Sequence, residues 1–161
     1  PSVSGAVYSP ADGVICLIDE SLPPLESGLE AVMMKRVCVF MNVFNVHVNR
    51  SPIEGKVKKI AYTKGSFINA SLDKASEKNE RNALVIQTKE NIEIVVVQIA
   101  GLIARRILSF IRDGHMLKAG ERFGLIRFGS RVDIYLPINA KVDCGLNQKV
   151  VAGESILASI S

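Results

Sequence analysis

Apolar and polar positions along the 161-residue chain alternate over short distances and are broken often by turn residues. "VCVFMNVFNVHV", Val37 to Val48, is rich in β-branched and aromatic residues and predicts one long strand. "ALVIQTKENIEIVVVQIA", Ala83 to Ala100, predicts two strands around the turn-like Lys89-Glu90-Asn91. Phe123 to Phe128 and Val132 to Leu136 predict two more, with the bare dipeptide Gly129-Ser130 between them. Leu102 to Ile111, "LIARRILSFI", fits a short helix by its spacing and a strand by its composition. The polar stretch Asn69 to Asn82 reads as a surface loop with room for one helical turn. Three stretches echo one another weakly: "SGAVYSPADGVICLI", "NRSPIEGKVKKIAYTKGSFI" and "YLPINAKVDCGLNQKVVAGESIL". Each holds a Pro, a small turn residue and then alternating apolar positions. The expected fold is mostly β: a compact barrel or sandwich hybrid of short strands, lipoyl-like in rhythm, with few short helices, in a single domain over residues 1–161.

Composition narrows the class. At 48% apolar and 22% charged, the chain is globular and long enough for a real core. Its net charge of +4 is unevenly spread. Between Ala104 and Arg131 stand Arg105, Arg106, Arg112, Lys118, Arg122, Arg127 and Arg131, opposed by Asp113 and Glu121 alone. Such a segment suits an anionic partner, membrane surface or nucleic acid, or is simply a solvated charged face. No apolar run is long enough for a membrane-spanning helix, and no signal peptide stands at the start. The chain begins at Pro1, so an upstream membrane-associating segment is expected to be missing. Cys16, Cys38 and Cys144 have no metal spacing and are odd in number, which predicts buried free thiols in a reducing compartment.

Candidate chemistry is faint residue by residue. A Gly-Ser pair such as Gly129-Ser130 recurs by chance, and Gly65-Ser66 is such a copy. Asp12 in "SPADG" alone is a turn residue. His47 in "FNVHVNRSP" alone is a strand-end histidine. His115 in "RDGHMLKAG" reads as a surface turn. Nucleophile-elbow, phosphate-loop and zinc motifs are all missing from the sequence. A lipoyl-like carrier needs a Lys at a hairpin tip, and the nearest candidate, Asp73 to Ala75, lies inside the charged loop.

In combination these stretches say more. "SPADG", "FNVHVNRSP" and "GERFGLIRFGSRVDIYLP", in this order, resemble the phosphatidylserine decarboxylase family. "NERN" at Asn79 to Asn82 and "VVQIAGLIARRI" from Val96 to Ile107 resemble it too. The resemblance covers nearly the whole chain and is nearest to the short prokaryotic form. It implies a pyruvoyl-dependent lyase made as a zymogen. The chain would cut itself between Gly129 and Ser130 into a large chain 1–129 and a small chain 130–161, and Ser130 would become the pyruvoyl group, with no metal. That group would form a Schiff base with the serine headgroup of phosphatidylserine and release CO2 to give phosphatidylethanolamine. The resemblance assigns His47 to proton transfer in decarboxylation, and Asp12 to orienting and charge-stabilising the base of the cleavage step. Where many relatives have a second His, this chain has Arg50, which leaves the cleavage base open between His47 and another group. The family's apolar segment and the Phe-Phe-Arg-Asp-Pro-like stretch ahead of "SPADG" do not appear. Implied partners are phosphatidylserine, an anionic membrane surface, the two chains of one precursor and a homo-oligomer, with no nucleic acid, at the cytoplasmic face of a membrane. The alternatives are a lipoyl-like carrier or phosphotransfer module and a structural relative that never matures.

Overall fold

The computed structural model describes residues 5–41, 46–64, 79–101, 107–127 and 130–161. Their strands are β1 (Ala6–Tyr8), β2 (Gly13–Ser21), β3 (Met34–Phe40), β4 (Val46–Arg50), β5 (Gly55–Thr63), β6 (Arg81–Gln87), β7 (Glu93–Ile99), β8 (Ile107–Ser109), β9 (Met116–Leu117), β10 (Arg122–Arg127), β11 (Arg131–Leu136), β12 (Lys141–Val142), β13 (Lys149–Val150) and β14 (Ile156–Ser159). A single 3-10 turn, Leu25–Ser27, is the helical content among the described residues. The fold is therefore mostly β, as expected.

One curled sheet runs in the order β13-β2-β3-β11-β7-β6-β5-β9, and two small sheets, β1-β14-β12 and β4-β10-β8, complete the fold. The central strands β3, β11, β7 and β6 are buried on both faces, so they read as continuous apolar runs rather than as alternation. On the inner face Val39, Leu84, Val96, Val132 and Ile134 meet Phe123, Ile126 and Leu157 of the small sheets. On the outer face Val85, Val95, Val97, Ile99 and Tyr135 form a second cluster.

Two of the three echoing stretches, "SGAVYSPADGVICLI" and "NRSPIEGKVKKIAYTKGSFI", are equivalent parts of a two-fold internal repeat, whereas the third, from β11 to β14, is equivalent to β7 to β10. One copy runs unbroken from β4 to β10. The other is β1 to β3 together with β11 to β14. The β2–β3 ladder pairs Ile15 with Val39, skips Cys16, and resumes at Leu17 with Cys38. The β5–β6 ladder pairs Val57 with Ile86, skips Lys58, and resumes at Lys59 with Val85. β13 pairs with β2 as β9 pairs with β5, and β1-β14-β12 matches β4-β10-β8, bulge included. The two copies meet at the β11–β7 ladder, where Ile134 faces Val96 on the approximate two-fold axis. The Ser-Pro turns interlock reciprocally: Tyr8 N–H donates to Pro52 O at 2.8 Å and Arg50 N–H to Pro10 O at 2.9 Å. "SPADG" and "SPIEG" end in glycine for one shared reason. A Cβ at Gly13 would collide with the Phe40 carbonyl oxygen, and one at Gly55 with the Gln87 carbonyl oxygen.

The β6–β7 hairpin closes with Thr88 N–H donating to Ile92 O at 2.9 Å, and its equivalent is Met41 N–H donating to Ser130 O at 2.8 Å. In the first copy this hairpin is opened, and the whole second copy is nested in the opening. Ser130 stands where the nested copy returns to its host.

Several expectations change. Val37 to Val48 is two strands rather than one, because β3 pairs with β2 and β11 in the large sheet while β4 pairs with β10 in a small one. The two strands around Lys89 to Asn91 form as predicted, with Asn91 at φ 64° in the turn. Of Leu102 to Ile111, 102–106 lie outside the described residues and the rest includes strand β8. The end of the polar loop is no surface: Asn79 and Asn82 are buried. Cys38 is buried as expected and Cys144 half-buried, but Cys16 is exposed. It is the extra residue of the β2 bulge, which displaces it from the buried alternation. All three are free thiols.

Arg131 does not join the basic surface. It is buried on the outer face and grips Asp133 through two hydrogen bonds, Nε to Oδ1 at 2.8 Å and Nη2 to Oδ2 at 3.0 Å. Asp133→Ala would leave a buried guanidinium without this partner. It is expected to cost about 3–5 kcal/mol, measurable as a fall in the denaturant midpoint.

Candidate active site

Ser130 is completely buried and immediately precedes β11. Just before it, β10 ends at Arg127 in a different sheet. The bond to Ser130 thus lies in a crossing whose two ends are anchored separately, by β4 and β8 on one side and by β3 and β7 on the other. Gly129 itself, like Gly65, Ser66 and Asp73 to Ala75, falls outside the described residues.

Asp12 closes the turn before β2. It is exposed, and its Oδ1 accepts the Ala152 N–H at 2.7 Å. The register Val14–Phe40–Arg131 puts it two strands from Ser130 at the same end of the sheet, about 10 Å by strand spacing. His47 lies in β4 with its backbone opposite Ile126; its side chain is outside the described residues. The structure therefore brings the three to one end of the fold, and it ties the Asp12 carboxylate to the 151–155 turn rather than to Ser130.

The internal repeat adds geometry. The equivalents of Asp12, His47 and Ser130 are Glu54, Gly5 and Ile92. All three line one cavity of about 370 Å³, together with Thr88 and Ala119, which are the equivalents of Met41 and Ala152.

A feature with no counterpart in the sequence reading is a buried chain of amides. Asn82 Nδ2 donates to Gln98 Oε1 at 3.1 Å, and Gln98 Nε2 donates to Asn49 Oδ1 at 2.9 Å. Asn49 Nδ2 in turn faces Pro10 O at 3.5 Å and Met41 Sδ at 3.8 Å. All three amides are buried. They link every strand that carries the site: Asn49 is two residues from His47, Gln98 pairs with Val132 two residues from Ser130, and Pro10 is two residues from Asp12. Nearby, Asn79 Nδ2 donates to Ala100 O at 2.5 Å. Gly124 makes the space, since a Cβ there would collide with Gln98 Nε2 and the Leu108 carbonyl oxygen.

The other copy builds the same strands without the Asn49 and Gln98 amides, while Asn82 has Lys35 as its equivalent. At the positions equivalent to Asn49, Gln98 and Gly124 stand Val7, Leu136 and Ala158, all buried in the apolar core. Asn49→Val with Gln98→Leu transplants the apolar pair of that version, with Gly124 kept because a Cβ there would meet the Leu108 backbone. The variant leaves the buried Asn82 Nδ2 without its acceptor, so it is expected to fold with about 1–3 kcal/mol less stability, and to mature and turn over about 10–10²-fold more slowly because the strands bearing the site lose their mutual positioning. Gel densitometry, CO2 release and thermal unfolding on one preparation check this.

Other candidates are accounted for. Arg50 donates from Nη1 to Gly120 O at 2.8 Å, so it anchors a turn. His115 is an exposed turn residue, as expected, with Nε2 2.9 Å from Glu121 Oε2. The Lys118 N–H and His115 together hold the Glu121 carboxyl below its ordinary range. No cluster of His, Cys, Asp and Glu suited to a metal occurs among the described residues.

The family model for phosphatidylserine decarboxylase matches residues 1–158. The chain is 58% identical over 158 residues to the phosphatidylserine decarboxylase proenzyme of Azorhizobium caulinodans, an alignment that covers 98% of this chain and 67% of that one. It is 52% identical over 160 residues to the proenzyme of the same name from Ruegeria pomeroyi, covering 99% of this chain and 73% of that one. No solved structure matches. The motifs, the buried serine at the sheet crossing and these matches agree: the chain belongs to the phosphatidylserine decarboxylase family.

Proposed function

We propose that this chain is a self-cleaving phosphatidylserine decarboxylase whose reactive carbonyl comes from Ser130. The observation that carries the reading is Ser130 itself, fully buried at the crossing between sheets with its carbonyl fixed by Met41 N–H, in a chain of this family. A buried, strand-held serine suits attack on the preceding peptide bond by proximity. Ser130 Oγ adds to the Gly129 carbonyl carbon and the amide becomes an ester; a base takes the hydroxyl proton, because a free hydroxyl is a weak nucleophile. Loss of the Cα proton then expels the Gly129 carboxylate, and hydrolysis of the resulting dehydroalanine releases ammonia.

The surroundings fit a small ketone at position 130. Position 130 is fully buried, and Met41 N–H holds the residue's remaining carbonyl. The group would supply an electron sink for the carbanion left by CO2. His47 gives that carbon its proton, and Asp12 charge-stabilises the base of the cleavage step. The space equivalent to the Glu54 cavity is where these groups meet the serine headgroup. Both products of cleavage stay in place, because small-chain strand β11 lies between large-chain strands β3 and β7.

The substrate is a membrane lipid, so the enzyme works at a membrane surface. Free thiols suit its cytoplasmic face. No helix among the described residues is long and apolar enough to cross a membrane. The test is release of CO2 from carboxyl-labelled phosphatidylserine with matching formation of phosphatidylethanolamine. Matured protein that releases none would contradict the reading.

A further inference from the structure

We propose that the outer face of the β4-β10-β8 sheet docks on an anionic lipid bilayer. This rests on the lipid substrate proposed above and adds where the membrane sits. Val48, Leu125 and Leu108 are cross-strand neighbours in one row of that sheet, facing away from the buried Ile126. Leu108 is 48% exposed, and Phe110, two residues on, is 55% exposed. Phe110 N–H donates to Phe123 O at 2.8 Å, which keeps it beside Arg122. Arg112, Lys118 and Arg122 are exposed around this patch. Of the two nearby acids, Asp113 is exposed and Glu121 is engaged by His115 and the Lys118 N–H. Apolar side chains ringed by cations match an interface with anionic lipid, where each base strengthens binding about five-fold.

Two comparisons within the molecule support this choice. The row of the other copy equivalent to Val48, Leu125 and Leu108 is Ala6, Ser159 and Lys141, and the equivalent of Phe110 is Asp143. The fold therefore accepts a small and polar face here, and the apolar one belongs to the copy that carries His47. Ala6 also lines the Glu54 cavity, so its equivalent, Val48, borders the space proposed for the reaction. Another exposed apolar patch, Leu22, Leu25, Val32 and Met33, is interspersed with the exposed Glu20 and Glu30, the wrong sign for anionic lipid.

The test uses the full, matured chain and sedimentation with vesicles of phosphatidylcholine, alone or with phosphatidylglycerol, which is anionic but carries no serine headgroup. The parent should bind the mixed vesicles and lose binding as salt rises. Leu108→Asp with Phe110→Asp should weaken binding at least about tenfold, and Arg112→Glu with Lys118→Glu should do the same and flatten the salt dependence. Leu25→Asp should bind like the parent. Turnover of a soluble short-chain phosphatidylserine should stay within about twofold in every variant. A parent that sediments normally but turns over no soluble substrate would fail the decarboxylase reading and leave the docking face standing. Unchanged sedimentation of the Leu108 and Phe110 variant would overturn the proposal, as would loss on Leu25→Asp. So would a variant that only changes from dimer to monomer in light scattering, which would make the face a contact between copies.

Discussion

Ser130→Ala is expected to yield one uncut chain with no decarboxylase activity. The substitution removes the only atom of residue 130 that can attack the preceding carbonyl. Alanine fits the buried position, and the Met41 N–H bond to the residue 130 carbonyl does not involve the side chain. Folding should therefore be retained, and the loss is chemical. Ser66→Ala, at the other Gly-Ser pair, should process normally. A denaturing gel over time separates the outcomes. Cleavage between residues 129 and 130 in Ser130→Ala protein would remove the assignment.

His47→Ala is expected to lower CO2 release about 10²–10⁴-fold in the matured fraction, the usual worth of a positioned acid–base group. The effect should be large because no imidazole stands in reserve. The chain has two histidines, and the other, His115, belongs to an exposed turn with Glu121. Arg50 is held by the Gly120 carbonyl, and a guanidinium is a poor base. The same variant answers whether His47 also serves the cleavage step. Accumulation of uncut chain assigns both steps to it, and normal splitting assigns the cleavage base to another group. Asp12→Asn keeps the size and removes the charge; cleavage should slow if Asp12 stabilises the base. Full CO2 release by matured His47→Ala protein would take His47 out of the mechanism.

Much of this was legible in the sequence, and the reasons differ by element. The strand pair 81–87 and 93–99 was visible because strongly apolar runs flank a polar turn. Val37 to Val48 was misjudged because composition reports strand preference and not which sheet a strand joins. Asp12, His47 and Ser130 surfaced only as a combination, since each alone is an ordinary turn or strand-end residue. The amide chain was missed although its members sit inside quoted motifs: Asn49 in "FNVHVNRSP", Gln98 in "VVQIAGLIARRI", Asn82 in "NERN". A usable signal stood at Gln98, an amide within the apolar run "VVVQIA", and at Gly124, a glycine inside a strand, whereas Asn49 and Asn82 sit at strand ends beside arginines and gave none. The nested repeat was half seen. "SPADG" with "SPIEG", and Ala119-Gly120-Glu121 with Ala152-Gly153-Glu154, mark equivalent turns. Sequence order hid that one copy interrupts the other at Ser130.

Intact mass of the purified protein under denaturing conditions tests the central claim most directly. The account predicts two chains. The large one ends in the free carboxylate of Gly129, and the small one begins at residue 130 with the mass of a pyruvoyl group in place of an N-terminal serine. Under native conditions the two should elute together, because β11 is enclosed by β3 and β7. A single unmodified chain, or a small chain that keeps a serine amine at residue 130, would contradict it.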